Sequence, residues 1–186
     1  MKFPIRGALL ALLTVVSATA AERRLVVDRA LSRVEVSVKA TVDSFVAKLS
    51  VYDAAIRLDA AAPHVTAAVF RFKFADIKTG KPDRDEQMNA WQQTATFPDA
   101  DFTLSSLTPA AEGRFLARGR LRLHGVEREL SLPVSITSDQ TLFAVDGEAK
   151  FDTRDFGLPV IRKFALLKVD PLVTVRFHLQ GAVAAP

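Results

Sequence analysis

The chain has 186 residues, of which 49% are apolar and 25% are charged, and it contains no cysteine. This composition is typical of one globular domain and excludes a disordered or fibrous chain. The lack of cysteine excludes a disulfide framework, thiolate metal sites, a cysteine nucleophile and a lipidated N-terminal cysteine.

The first twenty residues have the features of a cleavable secretory signal. Lys2 and Arg6 form a basic start, an apolar run follows over residues 7–16, and Ala18-Thr19-Ala20 is a small-residue cleavage motif. The run is shorter than the roughly 20 residues that a membrane-spanning helix needs. We therefore predict a signal peptide over residues 1–20 and one mature domain over residues 21–186.

Removing that segment takes two positive charges, those of its lysine and arginine, from the formal net charge of +4. The mature domain is therefore nearly neutral, which gives little reason to expect nucleic acid as a partner.

Alternation of apolar and polar residues with a period of two dominates the mature chain. In residues 33–42 every even position is apolar and every odd position is polar, as in a strand with one buried face. Further alternating segments lie at residues 45–58, with a bend expected at 53–55, and at residues 68–74, 100–104, 115–123, 130–136, 143–151 and 173–179. The short connections favour antiparallel hairpins, and the count is eight or nine strands.

One segment indicates a helix. Pro82 precedes Asp83, which is a candidate N-cap, with Glu86 three residues later, and Met88 and Trp91 share one face. Residues 154–167 are apolar without a period, which predicts a packed loop or a short helical turn.

Strands with one wet and one apolar face close into a barrel or pair as a sandwich. Segments of about eleven residues favour the barrel, so the predicted fold is all-β: an elongated antiparallel eight-stranded barrel with one short helix. Small residues interrupt its inner rows of Phe, Leu and Val. They leave room for a hydrocarbon guest, or they interdigitate with larger side chains in a dry packed core, and the pattern leaves both open.

Several motifs occur in a particular order after the leader. Asp28 and Ser32 precede the first alternating strand, and three longer motifs lie further along the chain: Arg84-Asp85-Glu86-Gln87-Met88, Gly119-Arg120-Leu121-Arg122-Leu123-His124-Gly125-Val126 and Asp152-Thr153-Arg154-Asp155-Phe156-Gly157-Leu158. In this order the chain resembles the YceI-like family of exported lipid-binding proteins. The resemblance implies a lipocalin-like barrel in the periplasm that encloses a polyisoprenoid or similar lipid, with secretion as the alternative location.

The inner rows and one helix face supply the candidate ligand-binding residues. These are Val36, Val38, Phe45, Phe70, Phe72, Phe74, Met88, Trp91, Phe102, Phe115, Gly119, Leu121, Phe143, Phe151 and Phe177.

A second set of candidates is charged. Arg84 and Asp85 open the helix, and Asp152, Arg154 and Asp155 follow a strand, so that opposite charges are expected to meet at one end of the barrel. They would either gate the mouth or hold a head group, or they would be structural pairs that fix the helix and loop.

Polar residues elsewhere give weaker signals. Four arginines share one strand face with His124, as a solvated surface or as a contact for a membrane or a membrane redox protein: Arg114, Arg118, Arg120 and Arg122. The three histidines, His64, His124 and His178, have no metal-binding spacing, and the chain has no G-x-S-x-G motif.

No metal site, catalytic residue or cofactor other than a bound isoprenoid or similar lipid is therefore predicted. The leading hypothesis is a non-enzymatic periplasmic carrier or store for a long-chain apolar lipid, such as an isoprenoid quinone. The alternatives are an accessory module of a membrane redox complex, with a filled core, and a lipid hydrolase.

Overall fold

The computed structural model describes residues 22–59, 64–139, 142–163 and 167–184, so the predicted signal segment lies outside the described residues. Twelve strands are found in the described part of the chain: β1 (Glu22–Val27), β2 (Arg33–Ala40), β3 (Phe45–Leu49), β4 (Asp53–Asp59), β5 (Val65–Lys73), β6 (Ile77–Lys78), β7 (Asp99–Pro109), β8 (Phe115–Leu123), β9 (Val126–Asp139), β10 (Leu142–Asp152), β11 (Arg162–Lys163) and β12 (Leu167–Val183). One α-helix, α1 (Pro82–Gln92), and 3-10 turns at Phe74–Asp76, Ala111–Gly113 and Thr153–Phe156 complete these ranges. Within them, no helix combines the length and apolar character that a bilayer crossing requires.

The strands form a closed antiparallel barrel of eight positions. β1 and β2 both pair with β12 and together form one bent strand of the barrel. The next barrel strand consists of β3, which pairs with β2, and β4, which pairs with β1. Beyond it, β6 pairs with β3 and β5 pairs with β4. Around the rest of the barrel β5 pairs with β7, and β8, β9, β10 and β12 continue the meander. The predicted all-β, eight-stranded barrel with one short helix is confirmed.

The inner rows follow the predicted alternation, with changes of phase where the register shifts, as in β5 and β7. In β7 the ladder to β8 shifts register between Leu104 and Ser106, and both Leu104 and Leu107 face the lumen. A β-bulge adds one residue to a strand, so the side chains beyond it reverse their faces. Strict alternation with a period of two would have placed the side chain of Leu107 on the outer face of the barrel.

Local boundaries differ from the prediction in two places. The bend between β3 and β4 lies at residues 50–52 and not at 53–55, where it was predicted. In this bend the buried Tyr52 packs on Phe70, with ring centroids 4.8 Å apart. Asp83 is not the N-cap of α1. Lys81 takes that position without a side-chain cap, because Pro82 starts the helix and its fixed φ suits the first turn.

Two glycines in the wall accommodate aromatic rings. A Cβ on Gly119 would collide with the ring of Phe102, and a Cβ on Gly147 would lie 2.8 Å from Cε1 of Phe177. These small positions therefore create space for the protein's own rings. Alanines at 68, 117 and 149, by contrast, line open space inside the barrel.

Candidate functional site

The lumen contains two adjacent chambers. The inner chamber has a volume of about 200 Å³ and is lined only by apolar residues, among them Ile56, Leu121 and Phe177. The outer chamber, about 1170 Å³, lies at the end of the barrel where α1 packs. Six residues line both chambers and mark their boundary: Val36, Phe72, Ile77, Leu123, Phe151 and Val175.

The outer chamber reaches the surface. Val42 lines it and is 72% exposed, and the exposed Arg162 lies on the same rim. On another side α1 is held over the barrel end, because the indole N–H of Trp91 donates to the carbonyl of Pro159 at 2.8 Å. An apolar tube with a partly charged mouth suits a molecule with a hydrocarbon tail and a polar end.

Twelve of the fifteen candidate ligand-binding residues line these chambers. The inner chamber has Phe70, Phe102, Leu121 and Phe177, the boundary has Val36, Phe72 and Phe151, and the outer chamber has Val38, Phe45, Phe74, Met88 and Trp91.

The other three lie outside the lining. Phe143 is 1% exposed and is enclosed in the packed core, and Phe115 packs at the start of β8 against a cluster that includes Ala117, Leu132 and Val134. Gly119 is covered by Phe102.

The helix charges are held by residues that the sequence prediction did not single out. Nη2 of Arg84 donates to Oδ2 of Asp43 at 2.6 Å, and Nζ of Lys81 donates to the same oxygen at 3.2 Å. The Lys81 hydrogen bond, followed by the charges of Lys81 and Arg84, lowers the pKa of Asp43. Asp43 lies 41 residues from Arg84 in the chain, and no local pattern connects the two.

Asp85 has a structural role. Its Oδ1 accepts hydrogen bonds from the backbone N of Thr79 at 2.9 Å and from the Thr79 hydroxyl at 2.6 Å. Burial raises the pKa of Asp85, but the Thr79 hydrogen bonds and the nearby cations Lys78 and Arg84 lower it on balance. The carboxylate thereby fixes the turn that leads into α1.

The loop charges pair with one another and not with the helix. Arg154 donates from Nε and Nη2 to Asp152, at 3.0 and 2.6 Å, and its backbone N also donates to that carboxylate. The Arg154 side-chain hydrogen bonds lower the pKa of Asp152. Asp155 is exposed, and its charge contributes to the raised pKa of Arg154, after the larger effects of Asp152. Arg84 and Asp85 of the helix are therefore paired with Asp43 and Thr79, whereas Asp152 and Arg154 of the loop are paired with each other.

Comparison with models of protein families identifies the family of this chain. The family model of the YceI-like domain matches residues 25–181, which is most of the chain. The chain belongs to the YceI-like family. No curated protein matches it.

The YceI-like fold is also found in solved structures. BcnA of Burkholderia cenocepacia is 20% identical with a TM-score of 0.73, covering 83% of this chain and 99% of BcnA. A polyisoprenoid binding domain from Saccharophagus degradans is 19% identical with a TM-score of 0.64, covering 89% of this chain and all of that domain. The YceI protein of Campylobacter jejuni is 15% identical with a TM-score of 0.64, covering 75% and 85% of the two chains. At these identities the likeness shows the fold.

The arginine face of this YceI-like protein lies on the outer wall. Nε of Arg122 donates to Asp101 at 2.6 Å, Arg120 lies 3.5 Å from Glu127, and Arg114 pairs with Glu112 at 2.7 Å. Such exposed pairs contribute little to stability.

The histidines do not line either chamber. Nδ1 of His124 lies 3.1 Å from the carbonyl of Phe156, and its ring packs edge-on against Phe97. His64 is 3.9 Å from Asp59, and Nδ1 of His178 is 2.8 Å from Oδ1 of Asp146. Among the described residues, no group of three or more His, Asp or Glu side chains could hold a metal ion.

Replacing His178 by Gln is expected to lower stability in a pH-dependent way. The Asp146 hydrogen bond, with help from Gln180, raises the pKa of His178 above 6.5, although burial and the charge of Arg33 oppose this. A raised folded-state pKa stabilises the protein below the unfolded-state value of about 6.5, and this stabilisation is lost as the pH rises through the folded-state value. The H178Q variant should therefore melt about 1–3 °C below the parent near pH 5.5 and close to it near pH 9.

The measurement is a thermal melt of both proteins followed by circular dichroism. D146N provides the control, because it removes the partner that raises the pKa and should show the same pH trend. An equal loss of Tm at both pH values would contradict this account of the pair.

Proposed function

We propose that this YceI-like protein is an exported, non-catalytic carrier or store that encloses the tail of a long-chain apolar lipid. The observation that carries the proposal is a pair of adjacent chambers inside the barrel, a wholly apolar inner chamber and a larger outer chamber, which share six apolar lining residues. Each methylene moved from water into such a chamber contributes about 0.8 kcal/mol, so a long tail binds by partition alone.

An isoprenoid is the proposed guest. The Saccharophagus degradans relative of the same fold is described as a polyisoprenoid binding domain. The lining of the inner chamber supports an isoprenoid tail. Phe70, Phe72 and Phe102 present flat apolar surfaces there, and branched hydrocarbon chains pack well against such surfaces. An isoprenoid lipid supplies the apolar tail that the lumen accepts and the polar end that the charged mouth accepts.

The proposed location is the periplasm. The basic start, apolar run and small-residue motif over residues 1–20 are typical of a cleaved secretory signal. Export places the barrel next to membranes, from which a lipid tail transfers into the lumen during transient contact.

The two alternative functions are less well supported. An accessory module with a filled core does not agree with two open chambers inside the barrel. A lipid hydrolase would need a nucleophile and a base beside the ligand, whereas His64, His124 and His178 all lie outside the lining of both chambers.

The test is chemical analysis of the ligand. The full chain is expressed with its leader in a bacterium that has a periplasm, and the folded protein is purified from that compartment, extracted with organic solvent and analysed by mass spectrometry. We expect close to one long-chain lipid per protein. An empty extract, together with no binding of an added C20 isoprenoid alcohol, would overturn the proposal.

A further inference from the structure

Two cations at the mouth share a single carboxylate. Arg84 and Lys81 both donate to Oδ2 of Asp43, and all three residues line the outer chamber. We refer to these three residues as the mouth cluster. Its formal charge is +1, so one positive charge is not neutralised within the cluster.

Arg84 is the most enclosed of these charges. Its side chain is 21% exposed, compared with 65% for Lys81 and 54% for Asp43. The guanidinium carbon lies 4.2 Å from the centroid of the Phe45 ring, which also lines the outer chamber. This contact with the ring holds the cation where the charged rim meets the apolar wall.

The guanidinium has hydrogen-bonding capacity to spare. It carries five N–H donors, and within the described part of the chain only the Nη2 donation to Asp43 is found. A polar group brought to the mouth by a tail inside the lumen would meet these donors. Charge-assisted hydrogen bonds from arginine to phosphate or carboxylate oxygen are roughly twice as strong as neutral ones.

The other charged residues that line the outer chamber are Asp83, Arg162 and Asp170, with a formal net charge of −1, so the anion preference depends on local contact with Arg84 and not on the net charge of the mouth. Asp170 accepts a hydrogen bond from the backbone N of Leu172 at 3.0 Å, and Asp83 and Arg162 are exposed charges of opposite sign. Arg84 lies against the apolar wall at Phe45 and is less exposed than Lys81, so its contact with a head group at that point is screened less by water and salt.

We propose that Arg84, assisted by Lys81, binds the oxyanion head group, a phosphate or a carboxylate, of an amphiphile whose tail occupies the two chambers. This inference rests on the proposed function and names the chemical class of the ligand's polar end. Arg84 would then determine specificity at the mouth, while the lumen would accept tails of many kinds.

Three C20 isoprenoids with the same tail provide the test: the monophosphate, the carboxylic acid and the alcohol. Trp91 lines the outer chamber and is the single tryptophan of the chain, so its fluorescence reports binding directly. We expect at least one of the two anions to bind at least tenfold more tightly than the alcohol. R84Q should remove this preference, so that the two anions and the alcohol bind with similar affinity.

Two further variants sharpen the result. D43N removes the competing carboxylate and should strengthen anion binding severalfold, which is opposite in direction to R84Q. R118Q changes an exposed arginine on the outer wall and should alter neither affinity.

The outcomes separate this inference from the proposed function. Preference for the phosphate alone or the carboxylate alone supports the inference and identifies the oxyanion. Equal binding of all three lipids, unchanged in R84Q, overturns the inference while the carrier function stands. Failure of all three lipids to bind overturns both.

Discussion

Replacing Val36 by Trp is expected to reduce the affinity for long isoprenoids by roughly 100-fold. Val36 lies on β2, faces the lumen and belongs to the six residues that line both chambers. An indole at this position would fill the lumen where the two chambers meet and would exclude the tail from the inner chamber. If about four methylenes remain in water, the loss is about 3 kcal/mol.

The measurement is isothermal titration with C10, C20 and C40 isoprenoid alcohols. In the parent protein affinity should rise with tail length, whereas in V36W the rise should stop at the tail that fills the outer chamber. S37W is the matched control, since Ser37 is the next residue on β2 and does not line the lumen. Equal affinities of V36W and the parent for the C40 lipid would contradict a tail that reaches the inner chamber.

Replacing Gly181 by Ala is expected to destabilise the barrel by about 3 kcal/mol or more. Gly181 pairs with Val27 where β1 meets β12. A Cβ at this position would collide with the carbonyl oxygen of Val26 and lie 2.9 Å from Cα of Val27. The colliding atoms belong to the backbone and cannot move aside as a side chain does, so β1 must separate from β12.

Urea unfolding followed by circular dichroism measures this effect, and the corresponding loss in Tm is about 6–12 °C for a domain of this size. A182V is the control, because the neighbouring Ala182 is exposed and a larger side chain there meets solvent. A G181A variant as stable as the parent would show that the contact of β1 with β12 does not contribute to closure.

Most of the barrel could be predicted from local pattern. The alternation from Val34 to Val42 correctly assigns the inward face of β2 and its extension, and the same rule assigns the lumen-facing residues of β8 and β12. This succeeds because successive side chains of a wall strand point alternately to the lumen and to water, and apolar residues occupy the positions that face the lumen. Ten of the twelve candidates that line the chambers follow from it, and the other two, Met88 and Trp91, follow from the helix pattern.

The three candidates outside the lining show the limit of that rule. Phe143 faces the interior as its alternation indicates, but it lies in the packed core. Gly119 also faces inward, but the ring of Phe102 occupies the space in front of it. The alternation of hydropathy predicts which residues face the interior. It does not predict whether an interior residue contacts an aromatic ring or a cavity, because that depends on the side chains on the opposite wall of the barrel.

The residues of this protein by themselves determined the strand class, the inward rows, the single helix and the family. Only the tertiary structure decided that Arg84 pairs with Asp43, that the inner rows enclose two chambers and that Leu107 reverses its face after a bulge. The reason is physical: hydropathy and periodicity are local properties of a chain. Ion pairs across 41 residues and the volume left between opposing walls arise only when distant strands are brought together.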